Sequence, residues 1–379
     1  MKIVIAPDSF KESLSAKQVC VAVEQGFKAI YPEADYLHLP LADGGEGTVE
    51  VLMAQLGGEW QTSCVEGPNG ELVSAQWALL DKGKTALIEI AAASGLDLLP
   101  ISERNPMITS TYGTGQIIRQ ALSLGVDKIV LGLGGSATND GGAGIIEALG
   151  GRLLDAQGQT LPRGGAALSN LAEIDVTDLD PRCQHVELIV ACDVDNPLYG
   201  QHGASVVFGP QKGATAEMVD ALDIALADFA SVAQLHTSFD PHTTKGFGAA
   251  GGTPLGLSVA FDLQMVAGID MVLSMLNAKD VIAGSDLLIT GEGQMDHQTV
   301  QGKTPWGIAS LAAELAIPVI AIAGSNGRDL TPLYSKITAV FDSVRSPQAL
   351  PQVLAEAEAN VIRTSRNIAA TLRLGQQLS

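Results

Sequence analysis

The sequence lacks the features that mark disulfide-stabilised, zinc-binding or membrane-spanning proteins. Its four cysteines include no pair at CxxC spacing, which argues against a disulfide framework and against a common structural zinc site. The sequence contains no run of about 20 apolar residues, the length that a membrane-spanning helix requires. The apolar start MKIVIAP is short and is followed by Asp8. We therefore expect a cytoplasmic protein without a signal peptide and without membrane partners.

Basic residues are also scarce, since 22 Lys and Arg stand against 42 Asp and Glu, for a formal net charge of -20. Binding to nucleic acid requires a surplus of Lys and Arg on some face, so no nucleic-acid partner is expected. An anionic ligand would instead need a divalent cation as mediator. The sequence contains neither an HExxH nor a GxSxG motif, so a zinc site of that type and serine-hydrolase chemistry have no support.

The order of apolar and polar segments predicts an α/β protein. With 379 residues the chain is long enough for two domains. Strand-like and helix-like segments alternate up to residue 56, as in a parallel α/β layer, and the same rhythm returns from residue 285. We predict a discontinuous Rossmann-like parallel-sheet domain formed by residues 1–65 and 284–379. A second, mixed α/β domain is inserted over residues 66–283.

Within the inserted region, turn signals at GPNG (67–70) and DKGK (81–84) separate short β-rich runs. Such spacing indicates an antiparallel meander. The segments that follow mix helices and apolar runs as a second α/β unit does. The expected helices lie at 115–125 and 216–235, and the apolar runs at 128–134, 185–194 and 204–209.

Acidic residues recur among glycines, usually where an apolar run ends. Glycine keeps the backbone around a carboxylate free of side-chain bulk, which suits a metal ion bound to a phosphorylated ligand. The four segments are LADGGEGT (41–48), GGSATNDGGAG (134–144), ACDVDN (191–196) and ITGEGQMD (289–296).

In the first of these segments, Asp43 and Glu46 lie in the turn between the second predicted strand and the next helix. Parallel α/β sheets bind ligands at the carboxyl ends of their strands, so both carboxylates are candidate ligands. Capping of the helix by Asp43 or Thr48 explains the same residues equally well.

The turn after the first predicted strand carries four polar side chains, Asp8, Ser9, Lys11 and Ser13. A lysine among hydroxyl groups at the end of a strand favours contact with an anion. This turn is therefore a candidate phosphate-binding or substrate-binding site.

Asp193 and Asp195 end the apolar run at 185–194. In a strand, residues at alternate positions face the same side, and two such carboxylates repel each other unless a cation or a proton lies between them. The alternative is a solvated turn that leads to Pro197.

Glu292 and Asp296 follow the predicted strand DLLIT, and Lys303 lies seven residues beyond Asp296. Phosphoryl transfer to an alcohol requires a group that accepts the hydroxyl proton and positive charge for the phosphoryl oxygens. These three residues supply both.

Three glycine-rich segments compete for the phosphate-binding role. GLGGSA (132–137) follows an apolar run, and Asp155 lies near the distance expected for a dinucleotide-binding acid. The polar, glycine-rich residues 138–142 would, however, separate the fingerprint from its helix. GFGAAG (246–251) has no strand before it, so a flexible or ligand-covering loop is expected there. QGKT at 301–304 is not the end of a P-loop, because the first glycine of that motif is missing.

Taken together, eight segments strongly resemble the type I glycerate kinase family of bacteria. The resemblance covers essentially the whole chain, although Gln294 stands where many relatives have arginine. The segments are APDSFKESLSA (6–16), LADGGEGT (41–48), GTG (113–115), GGSATNDGG (134–142), ACDVDNPL (191–198), FGPQKGA (208–214), AAGG (249–252) and TGEGQMDHQTVQGKTPWG (290–307).

The resemblance implies an ATP-dependent kinase that phosphorylates D-glycerate at its 2-hydroxyl group. It also implies a Rossmann-like domain with an inserted α/β domain and an active site in the cleft between them. In the mechanism that it suggests, Lys11 and Lys303 spread positive charge over the transferred group, and Asp296 accepts the hydroxyl proton.

Mg²⁺ would bridge the β- and γ-phosphates in that mechanism, held by some of Asp43, Glu46, Asp193 and Asp195. Residues 134–142 then become a substrate or phosphate loop. The residues expected to bind substrate or phosphate are Asp8, Ser9, Ser13, Gly134, Gly135, Ser136, Thr138, Asp140 and Glu292.

Two other functions remain open from the residues alone. One is an NAD(P)-dependent hydroxy-acid oxidoreductase that uses residues 132–137. The other is a non-catalytic protein that binds a sugar acid. The sequence leaves the oligomeric state open between a monomer and a homodimer.

Overall fold

The structure, a computed structural model, describes residues 1–45, 47–297 and 299–378. The chain divides into two compact units. Unit one comprises Met1–Asp43, Glu50–Gln55 and Gly268–Ser379, and unit two comprises Gly44–Val49 and Leu56–Ala267. The predicted α/β fold, with a Rossmann-like parallel sheet built from both ends of the chain and an inserted mixed domain, is confirmed.

Strands and helices alternate along most of the chain. The strands are β1 (Lys2–Ile5), β2 (Asp35–His38), β3 (Glu59–Glu66), β4 (Leu72–Leu80), β5 (Thr85–Glu89), β6 (Lys128–Gly132), β7 (Arg152–Leu154), β8 (Glu173–Asp175), β9 (Glu187–Ala191), β10 (Leu263–Val266), β11 (Leu287–Met295), β12 (Val319–Asn326) and β13 (Ala339–Asp342).

None of the helices in the described part of the chain is long and apolar enough to cross a membrane. The helices are α1 (Ala16–Lys28), α2 (Thr48–Leu56), α3 (Ala91–Ser94), α4 (Tyr112–Leu124), α5 (Ala143–Ala148), α6 (Ala204–Phe208), α7 (Ala216–Ala233), α8 (Thr253–Ala260), α9 (Gly268–Met275), α10 (Ala278–Ile282), α11 (Thr304–Glu314), α12 (Leu350–Ala355) and α13 (Ala357–Leu378).

Unit one contains a five-stranded sheet in the order β13-β12-β11-β1-β2, and all its strands are parallel. Its inner strands contain short continuous apolar runs, as expected for strands that are buried on both faces. Helices α1 and α13 pack together beside the sheet. Gly26 permits this close packing, because a Cβ there would lie 2.5 Å from the carbonyl oxygen of Ile362.

Unit two contains a six-stranded mixed sheet in the order β10-β9-β6-β5-β4-β3. The strands β3, β4 and β5 are antiparallel, which confirms the predicted meander, and β5, β6, β9 and β10 are parallel. The buried apolar residues of this sheet and its helices form one core, and α7, α8 and the antiparallel pair β7-β8 lie around a second. The carboxyl ends of the parallel strands carry the glycine-rich loops.

The structure differs from the sequence-based expectation at several points. The apolar run 204–209 forms the helix α6 rather than a strand. The predicted boundaries near 65 and 284 also differ from the observed division. Strand β3 lies in unit two because it pairs along its whole length with β4, and α9 and α10 lie in unit one because they pack on α11.

Candidate active site

Unit one has a topological switch point between β1 and β11. The chain runs from β1 to β2 on one side, and it returns later to β11 on the other side. Ile5 pairs with Ile289, and the Asp8 N–H donates to the carbonyl of Gly291 at 2.8 Å. Asp8 and Glu292 therefore lie just beyond the paired residues of β1 and β11, at the same height along the two strands. Ligands of parallel α/β sheets bind at this position.

Asp8 is held by two donors at this strand end. The Thr304 hydroxyl donates to one carboxylate oxygen at 2.6 Å, and the N–H of Ser9 donates to the other at 2.6 Å. Burial raises the pKa of Asp8, and the negative charge of Asp43 raises it further, while the hydrogen bonds oppose this effect. A cation or a proton beside Asp8 and Asp43 would therefore be stabilised.

Glu292 is only 8% exposed and has two partners. The Thr299 hydroxyl donates to one carboxylate oxygen at 2.8 Å, and the ammonium of Lys303 lies 3.4 Å from the other. Burial raises the pKa of Glu292, and the charge of Lys303 partly offsets that rise. The predicted proximity of acid and lysine is thus realised between Glu292 and Lys303.

Asp296 lies in the bend just after β11 and is half-buried. The Gln294 amide donates to its carboxylate at 3.3 Å, and the Asp296 N–H donates to the Thr299 hydroxyl at 3.1 Å. Thr299 consequently links the backbone of Asp296 to the carboxylate of Glu292. Both acids are held at the carboxyl end of one strand.

The predicted anion-binding turn after β1 is a tight loop. The Ser13 hydroxyl donates to the Phe10 carbonyl at 2.9 Å, and Lys11 is exposed. Lys11 and Ser13 line a cavity of about 120 Å³ together with Gly293 and Gly324 at the ends of the neighbouring strands. This loop places a positive charge beside the carboxyl edge of the sheet.

Unit two contains a larger cavity of about 200 Å³ at the carboxyl ends of its parallel strands. Backbone hydrogen bonds to residues 94–96 hold its loop 134–138 in place. The N–H of Leu96 donates to the Gly135 carbonyl at 2.8 Å, and the N–H of Ala137 donates to the Ser94 carbonyl at 2.8 Å. The lining residues are Gly44, Gly45, Leu133, Gly134, Gly135, Ser136, Ala191, Cys192, Asp193, Val194, Phe208, Gln211, Lys212, Ala249 and Ala250.

Lys212 lines this cavity although it is only 2% exposed. It ends a single helical turn, Pro210–Lys212, that is followed by Gly213 in the left-handed conformation. A Cβ on Gly213 would lie 2.3 Å from the Arg104 carbonyl oxygen, so glycine is required to bring the lysine into the interior.

Asp140 lies in the interior rather than on the cavity wall. Its carboxylate accepts hydrogen bonds from the N–H and hydroxyl of Thr111 and from the N–H groups of Gly142 and Gly144. Burial raises its pKa, and these four donors oppose the rise. Thr138 is also fully buried. These contacts hold the loop 134–142 to the starts of α4 and α5.

The two aspartates after β9 are not in a strand, because β9 ends at Ala191. The argument from strand alternation therefore does not apply to them. Asp193 lines the cavity of unit two, whereas Asp195 is exposed and lies 3.4 Å from the Lys245 ammonium. An exposed pair of this kind adds little to stability.

Within residues 1–45, 47–297 and 299–378, no group of three or more His, Cys, Asp or Glu side chains is arranged to hold a metal ion. Asp43 belongs to unit one, and Asp193 and Asp195 belong to unit two. Glu46, the fourth predicted ligand, lies outside the described residues. The metal assignment therefore stays a prediction.

The model of the glycerate kinase family matches residues 3–373 of this chain. The chain belongs to the glycerate kinase family. A protein named glycerate kinase from Bacillus subtilis is 50% identical over 379 residues, which is 100% of this chain and 99% of the relative. A protein named glycerate 2-kinase from Escherichia coli K12 is 47% identical, again with 100% and 99% coverage.

A solved structure agrees with this assignment. A crystal structure from Salmonella typhimurium LT2, provisionally named glycerate kinase 2, superposes with a TM-score of 0.90 at 49% identity. It covers 100% of this chain and 99% of the other. The predicted family and the prediction of an enzyme of the glycerate kinase type are confirmed.

The structure also shows where the two candidate dinucleotide fingerprints, GLGGSA (132–137) and GFGAAG (246–251), lie in this family member. Helix α5 begins at Ala143, so residues 138–142 do separate GLGGSA from the helix that a dinucleotide would need. GFGAAG is buried, and its residues Ala249 and Ala250 line the cavity of unit two. This segment, expected as a flexible or ligand-covering loop, thus forms part of the buried wall of the cavity.

Lys212 is the main residue of this family member's cavity that sequence reasoning missed. The lysine of the motif FGPQKGA lies between Gln and Gly, a pattern typical of a solvent-exposed turn. The proline that starts the turn and the glycine that ends it were the available signals.

Proposed function

We propose that this chain transfers the γ-phosphoryl group of ATP to the 2-hydroxyl group of D-glycerate, which yields 2-phosphoglycerate and ADP. The observation that carries the proposal is the group of Asp8, Glu292, Lys303 and Thr304 at the switch point of unit one. The name of the Escherichia coli relative, glycerate 2-kinase, supports the position of transfer.

Phosphoryl transfer depends on positioning and on charge rather than on covalent chemistry. Lys303, at the start of α11, and Lys11, in the loop after β1, are proposed to offset the negative charge of the transferred group. Asp296 is proposed to accept the proton of the attacking hydroxyl. Glu292 is proposed to hold Lys303 in place, and so to act on the transferred phosphoryl group through this lysine.

Glycerate binding is proposed for the cavity of unit two. At about 200 Å³ it is smaller than the ~300–1,000 Å³ pockets that hold drug-sized ligands, which suits a three-carbon acid better than a nucleotide. Gly134, Gly135 and Ser136 line this cavity. Asp140 and Thr138, buried behind them, are proposed to position the loop.

The available side chains fit Mg²⁺, which prefers carboxylate oxygens and usually takes most of its ligands from phosphate and water. The lack of a preformed three-ligand cluster among the described residues is compatible with that preference. The charge of Asp43 already raises the pKa of Asp8, so a cation beside them would relieve repulsion. We assign Asp43 to this role, with Glu46, Asp193 and Asp195 as further candidates. When bound, Mg²⁺ supplies positive charge to the phosphate oxygens.

The proposed activity is tested by ADP release in the presence of ATP, Mg²⁺ and D-glycerate. We expect ADP formation that requires all three components and that falls to the background rate when EDTA replaces Mg²⁺. L-glycerate serves as the matched control, because the same charge and composition are presented with the opposite configuration. ADP release that does not depend on glycerate would contradict the proposal.

A further inference from the structure

Lys212 is a buried cation whose hydrogen-bond partners are neutral. Its ammonium donates to the Ser136 hydroxyl oxygen at 3.0 Å and to the Thr138 carbonyl at 2.6 Å. An ammonium has three N–H donors. In the part of the chain that the structure describes, the third has no protein acceptor and no carboxylate forms an ion pair with it. A buried charge of this kind is costly unless something pairs with it.

Asp140 provides a nearby negative charge, but it does not bond to the lysine. Its oxygens already accept from Thr111, Gly142 and Gly144. Burial lowers the pKa of Lys212 to about 7, although the negative charge of Asp140 favours the protonated ammonium. The lysine is therefore a desolvated donor, held in place and available to a ligand in the cavity.

The other lining groups define the shape of that ligand. Gly134 and Gly135 leave the wall beside Lys212 without side chains, and Ser136 retains its O–H as a donor while it accepts from the lysine. Asp193 lines the same cavity and would repel a second anionic group, but it can accept hydrogen bonds from hydroxyl groups. The cavity thus suits a molecule with an anionic end and a hydroxyl-bearing end.

We propose that Lys212, together with the Ser136 hydroxyl, binds the substrate carboxylate and makes this enzyme selective for hydroxy acids over uncharged analogues. The identity of the acid as glycerate rests on the proposed function. That Lys212 binds an anionic group is inferred only from the residues that line the cavity.

The test is a calorimetric titration of the full chain with D-glycerate and with glyceramide, in which an amide replaces the carboxylate. Removing one partner of a buried charge pair typically costs about 30-fold or more in affinity. We therefore expect Lys212→Met to weaken glycerate binding at least about 30-fold while glyceramide binding changes less than about threefold. The ratio of the two affinities should fall accordingly.

The variant is expected to fold, because methionine has a similar length and Asp140 keeps all four of its donors. Lys128→Met is the matched control. It removes a partly exposed lysine, paired with Glu187, at the opposite end of a strand in the same unit, so both affinities should remain unchanged. Ser136→Ala keeps the charge and should weaken glycerate binding only about fivefold.

The pH dependence of binding provides a second readout. The groups that face Lys212 are Asp140 behind it and Cys192 and Asp193 in the cavity. Since the ammonium loses its proton as pH rises through about 7, glycerate affinity should weaken from pH 6 to pH 9. Glyceramide affinity should stay nearly constant over that range, and so should both affinities in Lys212→Met.

Two results would overturn the proposal: equal losses of glycerate and glyceramide affinity in Lys212→Met, or glycerate binding that changes less than threefold in that variant. Both are measured without ATP. They are therefore distinct from a failure of the kinase proposal, in which glycerate binds with the expected charge dependence but no ADP forms.

Discussion

Asp296→Asn is expected to lower kcat for glycerate phosphorylation by about 10²–10⁴-fold, the usual loss when a general base is removed. Asparagine preserves the size of the side chain and its contact with Gln294, but it cannot accept the hydroxyl proton. The KM values for glycerate and ATP should change far less than kcat. Steady-state kinetics at saturating concentrations of both substrates provide the measurement.

Asp35→Asn is the control for this substitution, because Asp35 is an exposed acid in the same unit. It should leave kcat unchanged. Turnover of Asp296→Asn within about threefold of the wild type would remove Asp296 from the role of base. If Glu292→Gln abolished activity in the same experiment, the base would be assigned to Glu292, whose raised pKa also suits that task.

Lys303→Met is expected to lower kcat by about 10²–10³-fold, the range found when one preorganised donor to a transition-state charge is removed. The substitution also withdraws the cation that lies 3.4 Å from Glu292. Lys303 lowers the pKa of that buried carboxyl, so its loss should raise the pKa further. Any limb of the kcat profile that requires ionised Glu292 should therefore move to higher pH.

The control for the lysine is Lys17→Met, which replaces an exposed lysine on α1 in the same unit. Its kcat and its pH profile should match those of the wild type. A Lys303→Met enzyme with normal kcat and a raised KM for ATP would show that Lys303 contributes only to ground-state binding.

The sequence predicted the parallel strands well because they are short continuous apolar runs whose ends are marked by glycine and acidic residues. Asp8 and Glu292 could each be assigned to a strand end for that reason. These two residues lie at the same height because β1 and β11 are neighbours in the sheet. That neighbour relation joins residues almost 300 positions apart, and no local pattern encodes it.

The cavity of unit two was predictable only in part. Gly134, Gly135 and Ser136 follow an apolar run and were placed correctly at a strand end, although the same pattern also fits a dinucleotide fingerprint. Asp140 belongs to the same motif but is buried, where it accepts hydrogen bonds from Thr111, just before α4, and from the N–H groups of Gly142 and Gly144 at the start of α5. Burial of Lys212 depends on tertiary packing around Gly213, which propensity alone does not reveal.

The central claim is that the chain forms a phosphate ester at the 2-hydroxyl group of glycerate. It is tested most directly by proton-coupled phosphorus NMR of the product made from D-glycerate, ATP and Mg²⁺. We expect a doublet, because the single proton on C2 splits the resonance of a 2-phosphate, together with ADP in equal amount. A triplet from the two C3 protons would contradict the position of transfer, and the absence of any phosphate ester would contradict the kinase function itself.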